Sequence, residues 1–246
     1  MNHPKKAVLF RDPGKKPTLE CKMREVIRLG NVVRLNADGH RALGGVSLCV
    51  HKGERVRILG APGSGKTALA RVIAGTERPH SGGVHVMGEP VYDMTEDKAA
   101  VFRNRHIGYI PRVPAFWDGL TVLDNVTMPL SIRGVSASRR AKAGKEHLGT
   151  LGLLYAAHAS PMRLLPYELR LAAIARALVT QPEILLLDEI LAGLNAKEAS
   201  KLADTLQVLW KFGGYTLLSL TADAGDAIQA DRTITLDHGK NQEEKL

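Results

Sequence analysis

Gly60, Ala61, Pro62, Gly63, Ser64, Gly65, Lys66 and Thr67 fill every fixed position of the phosphate-binding pattern G-x-x-x-x-G-K-[ST]. In such a loop the glycines let backbone N–H groups face phosphate oxygens with no Cβ in the way. Lys66 would bridge the β- and γ-phosphates, and the Thr67 hydroxyl would hold Mg²⁺. A second pair of reactive types, Asp188 and Glu189, follows the apolar run Ile184-Leu-Leu-Leu187. Alone, two adjacent acids are ordinary surface charge. At the carboxyl end of a buried strand and paired with a P-loop, Asp188 becomes a candidate Mg²⁺ ligand and Glu189 a candidate polariser of attacking water.

These groups need elements to hold them. Glu54-Arg-Val-Arg-Ile-Leu59 is a β-rich run entering the loop, and Ala68–Ala74 continues it as a helix whose N-terminal dipole faces the anion. Upstream, Arg28–Val33 and Gly45–Val50 read as paired strands joined by a turn at Asn36–His40. Residues 95–106, Asn125–Ile132, Ser138–Leu153 and Leu169–Val179 read as helices. The uninterrupted apolar character of Ile184–Leu187 marks a strand buried on both faces, hence parallel. Beyond it the expected order is helix (196–211), strand (Tyr215–Leu220), helix (Ala224–Ala230) and strand (Arg232–Leu236).

The expected fold is therefore α/β. It comprises a P-loop NTPase core with a mainly parallel sheet, an N-terminal antiparallel β subdomain, and an inserted helical subdomain at about 112–168. The domain is expected over residues 26–239, with a basic, poorly ordered arm at 1–25 and a short tail at 240–246. Over residues 1–24, Lys5, Lys6, Arg11, Lys15, Lys16, Lys22 and Arg24 are balanced only by Asp12 and Glu20, among scattered prolines.

Composition narrows the function classes less than the motifs do. A net charge of +9 over 246 residues suits nucleic acid, anionic lipid or a nucleotide polyanion equally. The two cysteines, Cys21 and Cys49, have neither metal-ligand spacing nor a disulfide framework, and the histidines are scattered. Sequence spacing thus points to a reducing compartment and to no zinc or redox site. No stretch approaches the ~18 consecutive apolar residues of a membrane span, so any membrane role is expected to come through a partner.

With these features in order, the chain resembles the ATP-binding subunit of ABC transporters from about Val26 to Gly239. The resemblance rests on the P-loop, the helical insertion, Ala173-Ile-Ala-Arg-Ala-Leu178, Gln181-Pro182 and Ile184-Leu-Leu-Leu-Asp-Glu189. Thr121-Val-Leu-Asp-Asn-Val-Thr-Met-Pro-Leu130 looks most like the lipoprotein-releasing and macrolide-export subgroup. The resemblance implies ATP and Mg²⁺ as cofactors and integral membrane transporter subunits as partners. It also implies a homodimer or heterodimer with another ATP-binding subunit, and a peripheral location on the cytoplasmic side of the cell membrane.

Several family positions carry other residues. The signature, usually Leu-Ser-Gly-Gly-Gln or Glu, aligns with Leu164-Leu165-Pro166-Tyr167-Glu168. Leu165 has no hydroxyl to donate, Pro166 has no N–H, and Tyr167 adds bulk where a glycine allows close backbone approach. The lid glutamine falls at Arg112, the switch histidine at Ala222, the D-loop aspartate at Asn195, and the adenine-stacking aromatic at Asn36. A positioned acid–base or orienting group contributes typically ~10²–10⁴-fold to rate.

The expected function is therefore a degenerate ATP-binding subunit with weak or absent hydrolysis of its own. One alternative is an active ATPase subunit in a dimer with a more intact partner. Another is a soluble ABC-type ATPase of nucleic-acid processes, favoured by charge alone. That reading lacks support from a coiled-coil insertion, a zinc motif or a second cassette, so no nucleic-acid partner is expected. In the resembled family the segment containing Phe116 and Trp117 docks the membrane subunit, and core packing is the equal alternative for these two side chains; Trp210 has the helical spacing of a core residue.

Overall fold

The computed structural model describes residues 24–242. The basic arm falls almost wholly outside that range. The chain opens with a hairpin, β1 (Glu25–Leu35) and β2 (Arg41–His51), paired antiparallel about the expected turn. With β4 (Ser81–Val86) and β5 (Glu89–Pro90) it forms a four-stranded antiparallel sheet in the order β2-β1-β4-β5. A second sheet has the order β10-β9-β3-β8-β7-β6, from β3 (Arg55–Leu59), β6 (Ile107–Ile110), β7 (Ile184–Asp188), β8 (Thr216–Thr221), β9 (Arg232–Asp237) and β10 (Lys240–Gln242). All its pairings are parallel except β9 with β10.

The burial of β7 explains its unbroken apolar run. Ile184 and Leu186 enter the core shared with the antiparallel sheet and α1 (Lys66–Ile73), whereas Leu185 and Leu187 enter the core shared with the helical insertion. A strand alternates its side chains with period two, so a strand covered on both faces must be apolar at every position. The insertion consists of α3 (Val122–Ile132), α4 (Ala137–Thr150) and two 3₁₀ turns, and it leads into α5 (Pro166–Leu178). Thr121 and Asp124 start α3 with a reciprocal capping box. Helix α2 (Glu96–His106) and helix α6 (Ala196–Gly213) complete the set.

Three local expectations change. Residues 224–230 are not helical: Gly225 N–H donates to Asp223 Oδ1 and Ile228 N–H to Asp226 Oδ1, at 2.8 Å each. These aspartates offer the backbone turn hydrogen bonds in place of helical ones. The Arg57 guanidinium then takes the carbonyls of Ala224, Asp226 and Ile228. Lys240–Gln242, expected as tail, pairs with β9, and Glu25, expected in the arm, begins β1. Trp210 packs against the core as its spacing implies, half-buried, with the Arg55 guanidinium 4.1 Å above its ring.

Candidate functional site

Strand β3 delivers the chain into the loop 60–67 and α1 leaves it, so the loop sits at the carboxyl edge of the parallel sheet. Gly65 caps α1 with φ 101°, and a Cβ there would lie 2.2 Å from the Ala42 carbonyl oxygen. Both the backbone angle and the neighbour require glycine. The loop is braced by Gly239 N–H donating to the Ser64 carbonyl at 2.9 Å and Gly44 N–H donating to the Gly239 carbonyl at 2.7 Å. The first N–H groups of α1 have no intrahelical acceptor by geometry and are aimed out of the helix end.

Strand β7 lies two places from β3, with β8 between them, and brings Asp188 and Glu189 to the same edge. The Thr67 hydroxyl donates to Asp188 Oδ1 at 3.3 Å. Lys66 Nζ donates to the carbonyls of Gly60 and Ala61 at 2.7 and 3.0 Å and lies 3.2 Å from Glu189 Oε1. In a continuing strand, Asp188 and Glu189 would point to opposite faces. Glu189 instead adopts φ 48°, a left-handed conformation rare for non-glycine residues. That turn ends β7 and lets both carboxylates meet the P-loop. Burial pushes the Asp188 carboxyl up, aided by the neighbouring Glu189 charge and opposed by the Thr67 hydrogen bond and Lys66. The Tyr109 hydroxyl, which donates to Asp188 Oδ2 at 3.4 Å, is itself pushed up to about 12 by burial.

The chemistry of these donors fits Mg-ATP. Thr67 and Asp188 supply hard oxygen ligands of the kind Mg²⁺ takes. Lys66 is a buried cation that donates to two carbonyls and pairs with Glu189, and the buried Ser64 hydroxyl has no hydrogen-bond partner among the described residues. Thr67 and Asp188 would hold the metal, Lys66 and the loop N–H groups the phosphates. A bound Mg²⁺ would supply charge neutralisation at the transferring phosphoryl group. Glu189 would orient and deprotonate water.

Two of the divergent positions, Arg112 and Ala222, lie at this site. Arg112 Nη1 lies 3.3 Å from Glu189 Oε2, which therefore stands between two cations. Arg170 of α5 fixes that arrangement by donating to the Arg112 and Ala192 carbonyls. Ala222, at the position that aligns with the resembled family's switch histidine, lines one cavity of about 440 Å³ together with Glu189. Asn195 does not enter the site. It caps α6, accepting from Glu198 N–H at 3.0 Å.

Asn36 lies in the exposed hairpin turn. In the signature segment Leu165 is exposed, Pro166 is the first residue of α5, and Leu165 N–H donates to the Glu168 carboxylate at 2.8 Å. Tyr167 leans onto α6, with Lys201 Nζ 5.3 Å from its ring. A missing donor and a carboxylate already seated at the helix end both work against binding phosphate there.

Phe116 and Trp117, adjacent in sequence, have different environments. Phe116 is packed beneath the Arg176 guanidinium at 4.6 Å, whereas Trp117 is exposed, its backbone held by Asn125 in both directions. Sequence spacing missed one further grouping. Glu25, Cys49 and His51, from two strands, present donor atoms all within 4.8 Å of one another. Strand pairing creates that proximity, so no motif spacing could have revealed it.

Residues 43–192 match the family described as ABC transporter. The chain is 34% identical over 202 residues to the lipoprotein-releasing system ATP-binding protein LolD of Chromohalobacter salexigens, covering 82% of this chain and 85% of that one. It is also 34% identical to the ABC transporter ATP-binding protein YbbA of Escherichia coli, over 82% of this chain and 89% of that one. Among solved structures, the dimeric bacterial ABC transporter cassette MJ0796 superimposes with a TM-score of 0.82 at 30% identity, covering 89% of this chain and 97% of the other. The same cassette in a post-hydrolysis state bound to ADP and Pi also gives 0.82.

Proposed function

The chain belongs to the ABC transporter family of ATP-binding proteins, and on that premise we propose that it binds Mg-ATP as a peripheral subunit of a transport complex and hydrolyses it slowly or not at all by itself. The observation that carries this reading is the contrast within one site. Lys66, Thr67, Asp188 and Glu189 converge as a nucleotide site requires, while Arg112 is paired to Glu189 and Ala222 stands where the resembled family's switch histidine aligns.

A dimeric relative supports a dimeric state for this chain, and relatives named for lipoprotein release support a membrane-embedded partner on the cytoplasmic side. None of the described helices is long and apolar enough to cross a membrane. In a head-to-tail dimer each site would combine one subunit's P-loop with the other's Leu165-Pro166-Tyr167 segment. A homodimer would then carry every altered residue in both sites. A heterodimer with an intact cassette would divide them, and that is the arrangement in which useful turnover would survive.

The test is isolation of the chain from membranes with its partners, followed by calorimetry with Mg-ATP and an ATPase assay of the complex. Binding with slow turnover supports the reading. No binding at millimolar nucleotide, or brisk turnover by the isolated chain that Glu189→Gln abolishes, overturns it.

A further inference from the structure

We propose that Glu25, Cys49 and His51 form a site for one Zn²⁺-like divalent cation that staples the open end of the β1–β2 hairpin, away from the nucleotide site. The antiparallel register sets Glu25 directly opposite His51, and Cys49 lies two residues before His51 on the same face of β2. A register irregularity between Glu25 and Ile27 releases Glu25 from strict alternation, so its carboxylate can reach both partners.

One thiol, one imidazole and one carboxylate are a zinc-type donor set that leaves a fourth position for water. Tetrahedral coordination, with Zn–S about 2.3 Å and Zn–N about 2.0–2.1 Å, separates sulfur from nitrogen by about 3.6 Å. Cys49 Sγ and His51 Nε2 stand 3.9 Å apart, so a shift of a few tenths of an ångström suffices. All three residues are only partly buried, which leaves an entry path for the ion.

The surroundings also suit a metal ligand. His51 turns its other ring nitrogen, Nδ1, toward Glu54 Oε2 at 3.6 Å. That carboxylate, anchored in turn by the His51 N–H and by Arg232, favours the tautomer with a free Nε2. Burial opposes ionisation of Glu25, but hydrogen bonds from Arg28 and Cys49 and the Arg28 charge outweigh it and hold the carboxyl below its usual range. Among the described residues, Arg28 and Arg232 are cations that face the cluster. Arg232 keeps Glu54 as its partner, while Arg28, more than half exposed, re-solvates when the ion takes Glu25. On binding, the Cys49 thiol gives its proton to solvent and sulfur becomes a thiolate ligand.

The experiment titrates the full chain with Co²⁺ as a visible probe and then with Zn²⁺. One Co²⁺ per chain is expected, with sulfur-to-cobalt charge-transfer absorption that one equivalent of Zn²⁺ removes. Cys49→Ser should abolish the absorption, and His51→Ala and Glu25→Gln should each weaken binding by more than roughly tenfold. Cys21→Ser should leave the absorption in place. Circular dichroism of each variant reports folding. If a variant fails to fold, thermal melting of the wild type decides: an upward shift with one equivalent of Zn²⁺ supports the site, and no shift overturns it. Absorption that survives Cys49→Ser, or that depends on Cys21, also overturns it.

Discussion

The Lys66 ammonium lies 3.2 Å from the Glu189 carboxylate, so the cation that would receive phosphate and the base that would handle water neutralise each other. The pair is almost enclosed, Lys66 being 3% and Glu189 14% exposed at the side chain. A nucleotide bound at this loop would therefore compete with Glu189 for Lys66.

From that competition, Glu189→Gln should tighten Mg-ATP binding by roughly tenfold, because a charge-assisted contact worth about 1.5–3 kcal/mol is removed from the free protein. Lys66→Ala should weaken binding by roughly 10²-fold on the same scale. Isothermal calorimetry measures both. An unchanged affinity in Glu189→Gln would show that the ion pair does not oppose nucleotide.

Restoring the divergent positions should restore turnover. Ala222 borders open space, so Ala222→His can be accommodated without displacing core. Combined with Arg112→Gln and with Leu165→Ser, Pro166→Gly and Tyr167→Gly, it should raise the ATPase rate at least tenfold, given the ~10²–10⁴-fold worth of a positioned group. A steady-state assay of wild type and variant decides. Equal rates would place the limitation elsewhere.

Phe116 and Trp117 should separate stability from docking. Trp117 is 65% exposed, so Trp117→Ala should leave thermal stability within about 0.5 kcal/mol while loosening co-isolation with membrane subunits. Phe116→Ala removes the face beneath Arg176 and should cost about 1–2 kcal/mol. Denaturant melts and pull-down yields measure the two effects. Undiminished recovery of the complex with Trp117→Ala would exclude that side chain from the interface.

Glu54 joins the hairpin to β9 by accepting from His51 N–H and pairing with Arg232. Burial alone would raise its pKa, but the Arg232 and His51 hydrogen bonds outweigh burial and depress it. A depressed carboxyl stabilises the fold above its unfolded pKa of about 4.3, and that stability is lost as pH falls through the folded value. Glu54→Gln should therefore cost about 1–3 kcal/mol at neutral pH and progressively less below about pH 4. Urea melts across that range are the check, and a penalty independent of pH would refute the linkage.

The sequence by itself determined the P-loop, the identity of Asp188 and Glu189, and most of the sheet, because each rests on local pattern. Eight contiguous residues fill the P-loop pattern, and the unbroken apolar run before Asp188 suits a strand covered on both faces, which is what β7 is. Residues 224–230 misled, since helix-compatible composition does not show that Asp223 and Asp226 will bind their own backbone or that Arg57 will take the carbonyls. Only the tertiary structure decided how charges meet. The left-handed turn at Glu189 set it between Lys66 and Arg112. Strand register put Glu25 against Cys49 and His51, and packing turned Trp117 outward while Phe116 went under Arg176. Such contacts join residues far apart in the chain, where spacing along the sequence carries no information about distance in space.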